Sequence, residues 1–343
     1  MFQLFSSNSI PIRKRNRGHS GAAHWSVILA GDHSHQMSAL IQGWLGENRP
    51  RQYCAFTGSK TMLEHTLSRA LAVGDPEHLL TLIGSKHLSY IQESISATYP
   101  GILVEQPLPR GTAASVLVSS AYIMAANPEA TVVIYPSDHF IVSPAAFFRH
   151  LRRGIAYIEE NPEKFLLLGA QARRAETDYG WIESQDQNGK IHTIERLRNP
   201  VKVERFYEKP DQREAEWLYR RGCLWNTMIL VVRVRKLWQL GLRSFPYLLA
   251  KLENFRHLLC GVRKQQQSAV QEKEALFDLY KAFPQADFSK MVLQRNLENV
   301  HVLPMREVYW SDWGKPERIV ETAMHHNLQL SFPIHVVKRS LTA

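Results

Sequence analysis

Cysteine is scarce. The chain has three in 343 residues, Cys54, Cys223 and Cys260, far apart and with no CxxC pair. That spacing supports neither a disulfide framework nor a structural zinc site, and it suits a reducing compartment. Long apolar runs are also missing. No stretch approaches the roughly eighteen apolar residues of a membrane span, and the first residues hold no apolar run of signal-peptide length. A cytoplasmic protein away from the membrane is therefore expected. There is no helix-turn-helix or zinc-finger pattern and no basic run interleaved with aromatics, which argues against nucleic acid as a partner. Internal repeats and low-complexity blocks are absent as well.

Acidic residues fall short of basic ones, 32 against 42, for a formal charge of +10. Four of the cations sit together at Arg13, Lys14, Arg15 and Arg17. The excess reads as a solvated surface plus a basic tail, or as an attraction for phosphate-rich ligands. Hydrophobic residues at 44% and charged residues at 22% are ordinary for a globular protein. The length allows one large α/β domain, or one domain with a modest addition. Residues 1–24 read as a disordered basic tail, and 25–343 as a single domain.

Apolar runs alternate with helical spacing through the first half. Strands are predicted at 25–30, 79–83, 102–104, 131–135 and 165–169. Helices are predicted at 61–71, 112–126 and 144–160, the last with Ser143 as N-cap. A long polar loop is expected from Gly31 to about Ser59. Strands that read as continuous apolar runs are covered by helices on both faces, which is the signature of a parallel sheet. The second half changes character. Residues 179–183, 190–197 and 205–208 look antiparallel, 228–234 and 299–303 are further strands, and 236–283 and 316–326 are mostly helical.

In an open parallel sheet, ligands bind outside the carboxyl ends of the strands. The residues there are Gly31 onward, Gln106-Pro107, Asp138-His139, Glu208-Lys209-Pro210, Asn226 and Asp312. The set is rich in acids, amides and cations and poor in nucleophiles. Asp138 follows the most apolar strand and is either a turn-capping group or a metal ligand. Asp312 is a second carboxylate, in an aromatic setting. Two carboxylates plus phosphate oxygens is how proteins hold Mg²⁺, which rarely receives an all-protein cage. Glu208-Lys209-Pro210 is either a charged turn or a hydroxyl-binding carboxylate beside a phosphate-binding ammonium.

Eight short motifs fall in order over about residues 25–318. They are Leu29-Ala30-Gly31, Arg49-Pro50-Arg51-Gln52-Tyr53, Arg110-Gly111-Thr112-Ala113, Pro136-Ser137-Asp138-His139, Tyr179-Gly180-Trp181-Ile182-Glu183, Phe206-Tyr207-Glu208-Lys209-Pro210, Trp225-Asn226-Thr227 and Trp310-Ser311-Asp312-Trp313-Gly314. This order and spacing resembles the sugar-phosphate nucleotidyltransferases, and most of all the mannose-1-phosphate guanylyltransferases. The matching family motifs are L-A-G-G-x-G-T-R, P-K-Q-F, R-N-T-A, P-A-D-H, G-Y-G-Y-I-E, F-x-E-K-P, W-N-S/T and W-S-D-x-G.

The resemblance implies a Rossmann-like nucleotide-diphospho-sugar transferase fold, with a mostly parallel mixed central sheet flanked by helices. It implies an enzyme that joins a sugar 1-phosphate, mannose 1-phosphate by the nearest match, to a nucleoside triphosphate such as GTP. Pyrophosphate would leave and a nucleotide sugar such as GDP-mannose would form. Residue by residue it implies Asp138 and Asp312 as Mg²⁺ ligands and Lys209 as a grip on the sugar phosphate. Glu208, Gly180 and Asn226 would serve the sugar, and Leu29, Ala30, Gly31, Gln106 and Gly111 the nucleotide. Arg51 stands where the family has a phosphate-binding lysine, so Arg51, Lys209 and Asp138 are the catalytic set. A homo-oligomer is compatible with this reading.

The chain departs from the family in the phosphate loop, which reads Gly31-Asp32-His33-Ser34-His35-Gln36. Two glycines are replaced by Asp32 and Ser34, and Gln36 stands in place of an arginine. Losing one preorganised transition-state donor costs roughly 10²–10³ in rate. The competing expectation is therefore a non-catalytic relative that binds a nucleotide sugar or a partner subunit in a regulatory role.

Overall fold

The computed structural model describes residues 24–31, 35–95, 99, 101–184, 199–264 and 268–340. Tail residues 1–23, the loop residues Asp32–Ser34 and the expected strand at 190–197 lie outside them.

The apolar runs of the first half become neighbouring strands. These are β1 (His24–Ala30), β2 (Leu79–Gly84), β3 (Ile102–Gln106) and β4 (Thr131–Pro136). His24, expected in the tail, opens β1. Between them lie the helices α1 (Ser38–Leu45), α2 (Met62–Leu71), α3 (Leu88–Ser94) and α4 (Gly111–Ala126). The chain continues through β5 (Phe140–Val142), α5 (Pro144–Glu160), β6 (Phe165–Gln171), β7 (Gly180–Ser184), β8 (Val201–Glu208), α6 (Gln212–Arg220) and β9 (Leu224–Arg233). Three helices follow, α7 (Val234–Ser244), α8 (Leu249–Arg263) and α9 (Ala269–Ala282). The last elements are β10 (Val300–Met305), β11 (Tyr309–Ser311), α10 (Pro316–His325) and α11 (Ile334–Ser340).

Among the described residues nine strands form one sheet, in the order β3-β2-β1-β4-β9-β6-β10-β8-β7. β1 pairs in parallel with β2 and β4, β2 with β3, and β6 with β10. β8 and β9 run against the other strands, so the sheet is mixed but mostly of one sense. The reversal of β9 brings its first residues to the edge where β4 and β6 end. Asn226 pairs with Gly169 there. It is therefore inside a strand, not just beyond one as the sequence suggested.

Helices cover both faces. On one face Leu117 of α4, Leu237 of α7, Leu252 of α8 and Leu279 of α9 join a core with Val132 and Leu230. On the other, Leu67 of α2 and Phe147 of α5 pack with Val133 and Leu166. Each such side chain fully removed from water stabilises the fold by about 1.5–3 kcal/mol. α2 starts with a reciprocal cap: the Glu64 amide donates to Thr61 Oγ1 at 3.2 Å and the Thr61 amide to the Glu64 carboxylate at 2.7 Å.

Two local expectations are corrected. Ser143 does occupy the N-cap of α5, but with φ 68° and ψ 60° its side chain makes no capping bond. The segment from Gly31 to Ser59 is not one polar loop. It contains α1, whose Leu40 and Ile41 are buried in a third cluster with Val336 and Phe332 from the far end of the chain. That apolar partner gives the short amphipathic helix a reason to form which its own composition lacks.

Candidate active site

The carboxyl edge of the sheet opens into a cleft of about 680 Å³. Ten of the residues singled out from sequence line it: Leu29, Gly31, Arg51, Gln106, Gly111, Asp138, Gly180, Glu208, Asn226 and Asp312. Strand order distributes them. Gln106 ends β3 and Gly31 follows β1 on one side, Asp138 follows β4 in the middle, and Asn226, Glu208 and Gly180 lie on β9, β8 and β7 on the other side.

Ala30 and Lys209 do not line the cleft. Ala30 is fully buried, and its carbonyl accepts from Gln52 Nε2 at 2.9 Å. Lys209 is exposed, in a left-handed turn with φ 50°. Glu208 faces the cleft at the end of β8, and the left-handed turn that follows takes Lys209 off the cleft wall.

Arg51 and Asp138 form the centre. The Arg51 guanidinium donates to Asp138 Oδ2. Burial pushes the Asp138 carboxyl up, but the Arg51 charge leads the opposing effects, which hold it below its ordinary value. Helix α2 braces the turn carrying Asp138. Arg69 donates to the His139 carbonyl at 2.9 Å and to Thr66 Oγ1 at 2.6 Å, and Thr66 Oγ1 lies 3.4 Å from the Ser137 carbonyl. His139 is held neutral, its pKa lowered to about 4, chiefly by burial.

Asp312 is the second central carboxylate. Its Oδ1 accepts from Tyr179 Oη at 2.8 Å, from Arg318 Nη1 at 2.7 Å and from the Gly314 amide at 3.0 Å. Arg318, only 3% exposed in its side chain, also meets Glu176 and Asp178. The two centres adjoin. A Cβ on Gly314 would lie 3.0 Å from Asp312 Oδ2 and 3.3 Å from Arg51 Nη1.

Among the described residues no three His, Cys, Asp or Glu side chains converge as a metal cage. A site with two carboxylates fits a cation that takes its other ligands from phosphate and water, as Mg²⁺ does. The donors to Asp312 gather on Oδ1 and Arg51 meets Oδ2 of Asp138, so each carboxylate has a second oxygen to offer. The residues fit the ion.

Glu208 faces Gly180 across the β7–β8 pair. A Cβ at position 180 would lie 2.9 Å from Glu208 Oε2 and 3.3 Å from Asn226 Cβ, so the glycine makes room for the carboxylate. Burial, and then the neighbouring Asp287, push the Glu208 pKa up to about 7. Asn226 accepts from the Met228 amide at 3.0 Å, and its Nδ2 lies 3.4 Å from Ser289 Oγ.

Gln106 is 6% exposed. Its Oε1 accepts from Ser115 Oγ at 2.6 Å and from Tyr280 Oη at 2.8 Å. Leu29, Leu108 and Gly31 line the same end of the cleft. Gly111 opens α4 there, and the Ala113 amide donates to the Ala286 carbonyl at 3.1 Å.

Several groups that shape the site were not singled out from sequence: Arg69, Arg318, Tyr280, and Gln285, Ala286, Asp287 and Ser289 on the cleft wall. Arg69 and Arg318 sit in amphipathic helices, where a basic residue reads as solvated. No signal in the chain marks them as buried.

A nucleotidyl transferase family model matches residues 26–328. Over 214 residues the chain is 28% identical to the alginate biosynthesis protein AlgA of Pseudomonas aeruginosa, a match covering 61% of this chain and 42% of that protein. It is 24% identical over 213 residues to mannose-1-phosphate guanylyltransferase 2 of Escherichia coli O157:H7, covering 61% and 42%. The match thus spans less than half the length of these curated relatives. Among solved structures, a mannose-1-phosphate geranyltransferase of Thermus thermophilus superposes with a TM-score of 0.65 at 22% identity, over 85% of this chain and 76% of that one. At that identity the likeness is one of fold, the nucleotide-diphospho-sugar transferase fold.

Proposed function

Because the chain belongs to the nucleotidyl transferase family, we propose that it joins a sugar 1-phosphate to a nucleoside triphosphate, with mannose 1-phosphate and GTP as the leading pair. A phosphate oxygen of the sugar 1-phosphate attacks the α-phosphorus in line. The bond from that phosphorus to the oxygen bridging to the β-phosphate breaks, and pyrophosphate leaves. The observation that carries this reading is the gathering of ten sequence-dispersed site residues into one cleft, ordered from Gln106 through Asp138 to Glu208.

The protein's contribution is positioning and charge neutralisation. Leu29, Gly31 and Leu108 offer a mostly apolar wall against which a planar base would lie, with the Gln106 amide beside it. Arg51 presents a guanidinium to the phosphates from the middle of the row. Glu208 and Asn226 supply acceptors and donors for sugar hydroxyls. Lys209, exposed beside Glu208, has a flexible four-carbon stem that would turn inward to meet the sugar phosphate. Asp138 and Asp312 would hold Mg²⁺, which supplies positive charge to the phosphate oxygens when bound.

The test is pyrophosphate release from GTP, mannose 1-phosphate and Mg²⁺, extended to other nucleotides and sugar phosphates. Release above background with one pair supports the reading, and none with any pair removes it. One observation favours a second reading. Gln36, exposed just before α1, stands where the family has an arginine. In that reading the protein binds a nucleotide sugar without turnover. Calorimetric binding of GDP-mannose by a protein that releases no pyrophosphate would select it.

A further inference from the structure

Gln106 ends β3 at the slot proposed above for the base, and its amide oxygen is met by hydroxyls from two helices. Two hydroxyls converge on Oε1: Ser115 from α4, nine residues on, and Tyr280 from α9, 174 residues on. Nε2, not Oε1, is the amide atom turned to Gly31. A Cβ on Gly31 would lie 1.8 Å from Nε2 and 3.5 Å from Oε1. Tyr280 has no solvent exposure, and burial drives the pKa of its phenol up, so it remains a donor at any working pH. The backbone of α9 is pinned in turn, because Arg110 Nε donates to the Tyr280 carbonyl at 3.0 Å.

A side-chain amide offers an acceptor and a pair of donors, and the hydrogen-bond network decides which faces a ligand. With Oε1 occupied by two hydroxyl donors, the face left for the cleft is the N–H face. We propose that Tyr280, with Ser115, is a specificity-determining residue: it locks Gln106 so that the base slot presents a donor and selects nucleobases carrying a carbonyl oxygen over those carrying an exocyclic amine. Guanine O6 and uracil O4 are acceptors, whereas the adenine and cytosine amines at the same ring positions are donors. An amine against a locked N–H leaves two donors unpaired in a buried setting. Sites built around one hydrogen bond reject analogues that cannot make it, because buried polar groups are then left unsatisfied. Helix α9, remote in sequence from every nucleotide motif, thereby acquires a role in choosing the nucleotide. The inference rests on the nucleotide reading of this cleft.

The experiment is calorimetric binding of GTP, ATP, UTP and CTP with Mg²⁺ to the full chain. Comparing GTP with ATP and UTP with CTP cancels the size difference between purine and pyrimidine. The expected result is about tenfold or more tighter binding of the carbonyl-bearing member of each pair, equivalent to roughly 1.4 kcal/mol. Tyr280→Phe keeps the ring and removes the hydroxyl, and both ratios should fall severalfold. Ser115→Ala reads the same lock independently if Tyr280→Phe does not fold, and the double variant should bring both ratios close to one. Ratios at or below one in the wild type, or ratios unmoved by either variant, overturn the inference while leaving the nucleotide site standing. Failure of all four nucleotides to bind overturns the nucleotide reading, and this inference with it.

Discussion

The Arg51 guanidinium donates to the Asp138 carboxylate, tying the short turn after Pro50 to the end of β4. Side-chain exposures of 13% and 19% make this a mostly buried pair. Removing one partner leaves the other charge poorly compensated. Arg51→Ala should therefore let the Asp138 carboxyl rise from its depressed pKa and weaken the grip on phosphate. The expected loss is about 10²–10³ in turnover, the scale of one transition-state donor. Arg51→Lys keeps the charge but not the planar fork, so it should fall between. Pyrophosphate release by the three proteins checks the order, and wild-type activity in Arg51→Ala would show that the pair is only structural.

Gly180 leaves room at the end of the cleft proposed for the sugar. A methyl group there would press on Glu208 Oε2, on Phe206 Cζ at 3.1 Å and on Asn226 Cβ. Gly180→Ala should raise the KM for the sugar 1-phosphate about tenfold, within the roughly 1–3 kcal/mol typical of overpacking. The end proposed for the nucleotide lies across the sheet, so the KM for the triphosphate should not move. Equal changes in both constants would mean that the whole cleft had shifted, and would argue against a separate sugar end.

The sheet was legible because its strands are apolar runs that need helices on both faces, and the pattern alone shows this at Thr131–Tyr135 or Phe165–Gly169. The site was legible where it sits at strand ends, as at Asp138 and Glu208. What the sequence could not show depends on partners far along the chain. Helix α1 forms because Leu40 and Ile41 find Phe332 and Val336, nearly three hundred residues away. Arg318 reads as a surface cation of α10 until Asp312 and Asp178 close on it. Lys209 shows the opposite failure. Its motif put it beside Glu208 as a grip on phosphate, but the left-handed turn after β8 leaves it outside the cleft wall, and motifs do not encode that direction.

Glu208 should make the candidate site sensitive to pH. Its pKa in the folded protein, about 7, is above the ordinary 4.5 because burial and Asp287 oppose ionisation. The folded state therefore holds this proton more tightly than the unfolded chain. The contribution to stability is full below pH 4.5, is lost as pH rises towards 7, and is flat above. Glu208→Gln removes the titration, so its melting temperature relative to wild type should climb between pH 5 and pH 7 and then level off. If the ionised carboxylate accepts from sugar hydroxyls, wild-type kcat/KM for the sugar phosphate should rise through pH 7. The substrate phosphate has a second pKa of about 6 and contributes its own step. The step near pH 7 should be the one missing from Glu208→Gln. A variant with the wild-type pH profile would mean that Glu208 does not meet the sugar.

Arg69 reaches the centre from behind. It is 8% exposed, and no carboxylate comes within ion-pairing distance of it among the described residues, so burial pulls its pKa down to about 10. An uncompensated buried charge is a poor source of stability, and an apolar replacement of similar volume is often neutral or better. Its bonds to the His139 carbonyl and to Thr66 instead fix the turn that presents Asp138. Arg69→Met should leave the melting temperature within a few degrees of wild type, yet lower kcat about tenfold and raise the Mg²⁺ concentration for half-maximal rate. Arg69→Lys retains one donor and should recover part of both. A fall in melting temperature with kcat and the Mg²⁺ requirement unchanged would assign Arg69 to packing alone. Loss of rate without loss of fold would place it among the groups that position Asp138.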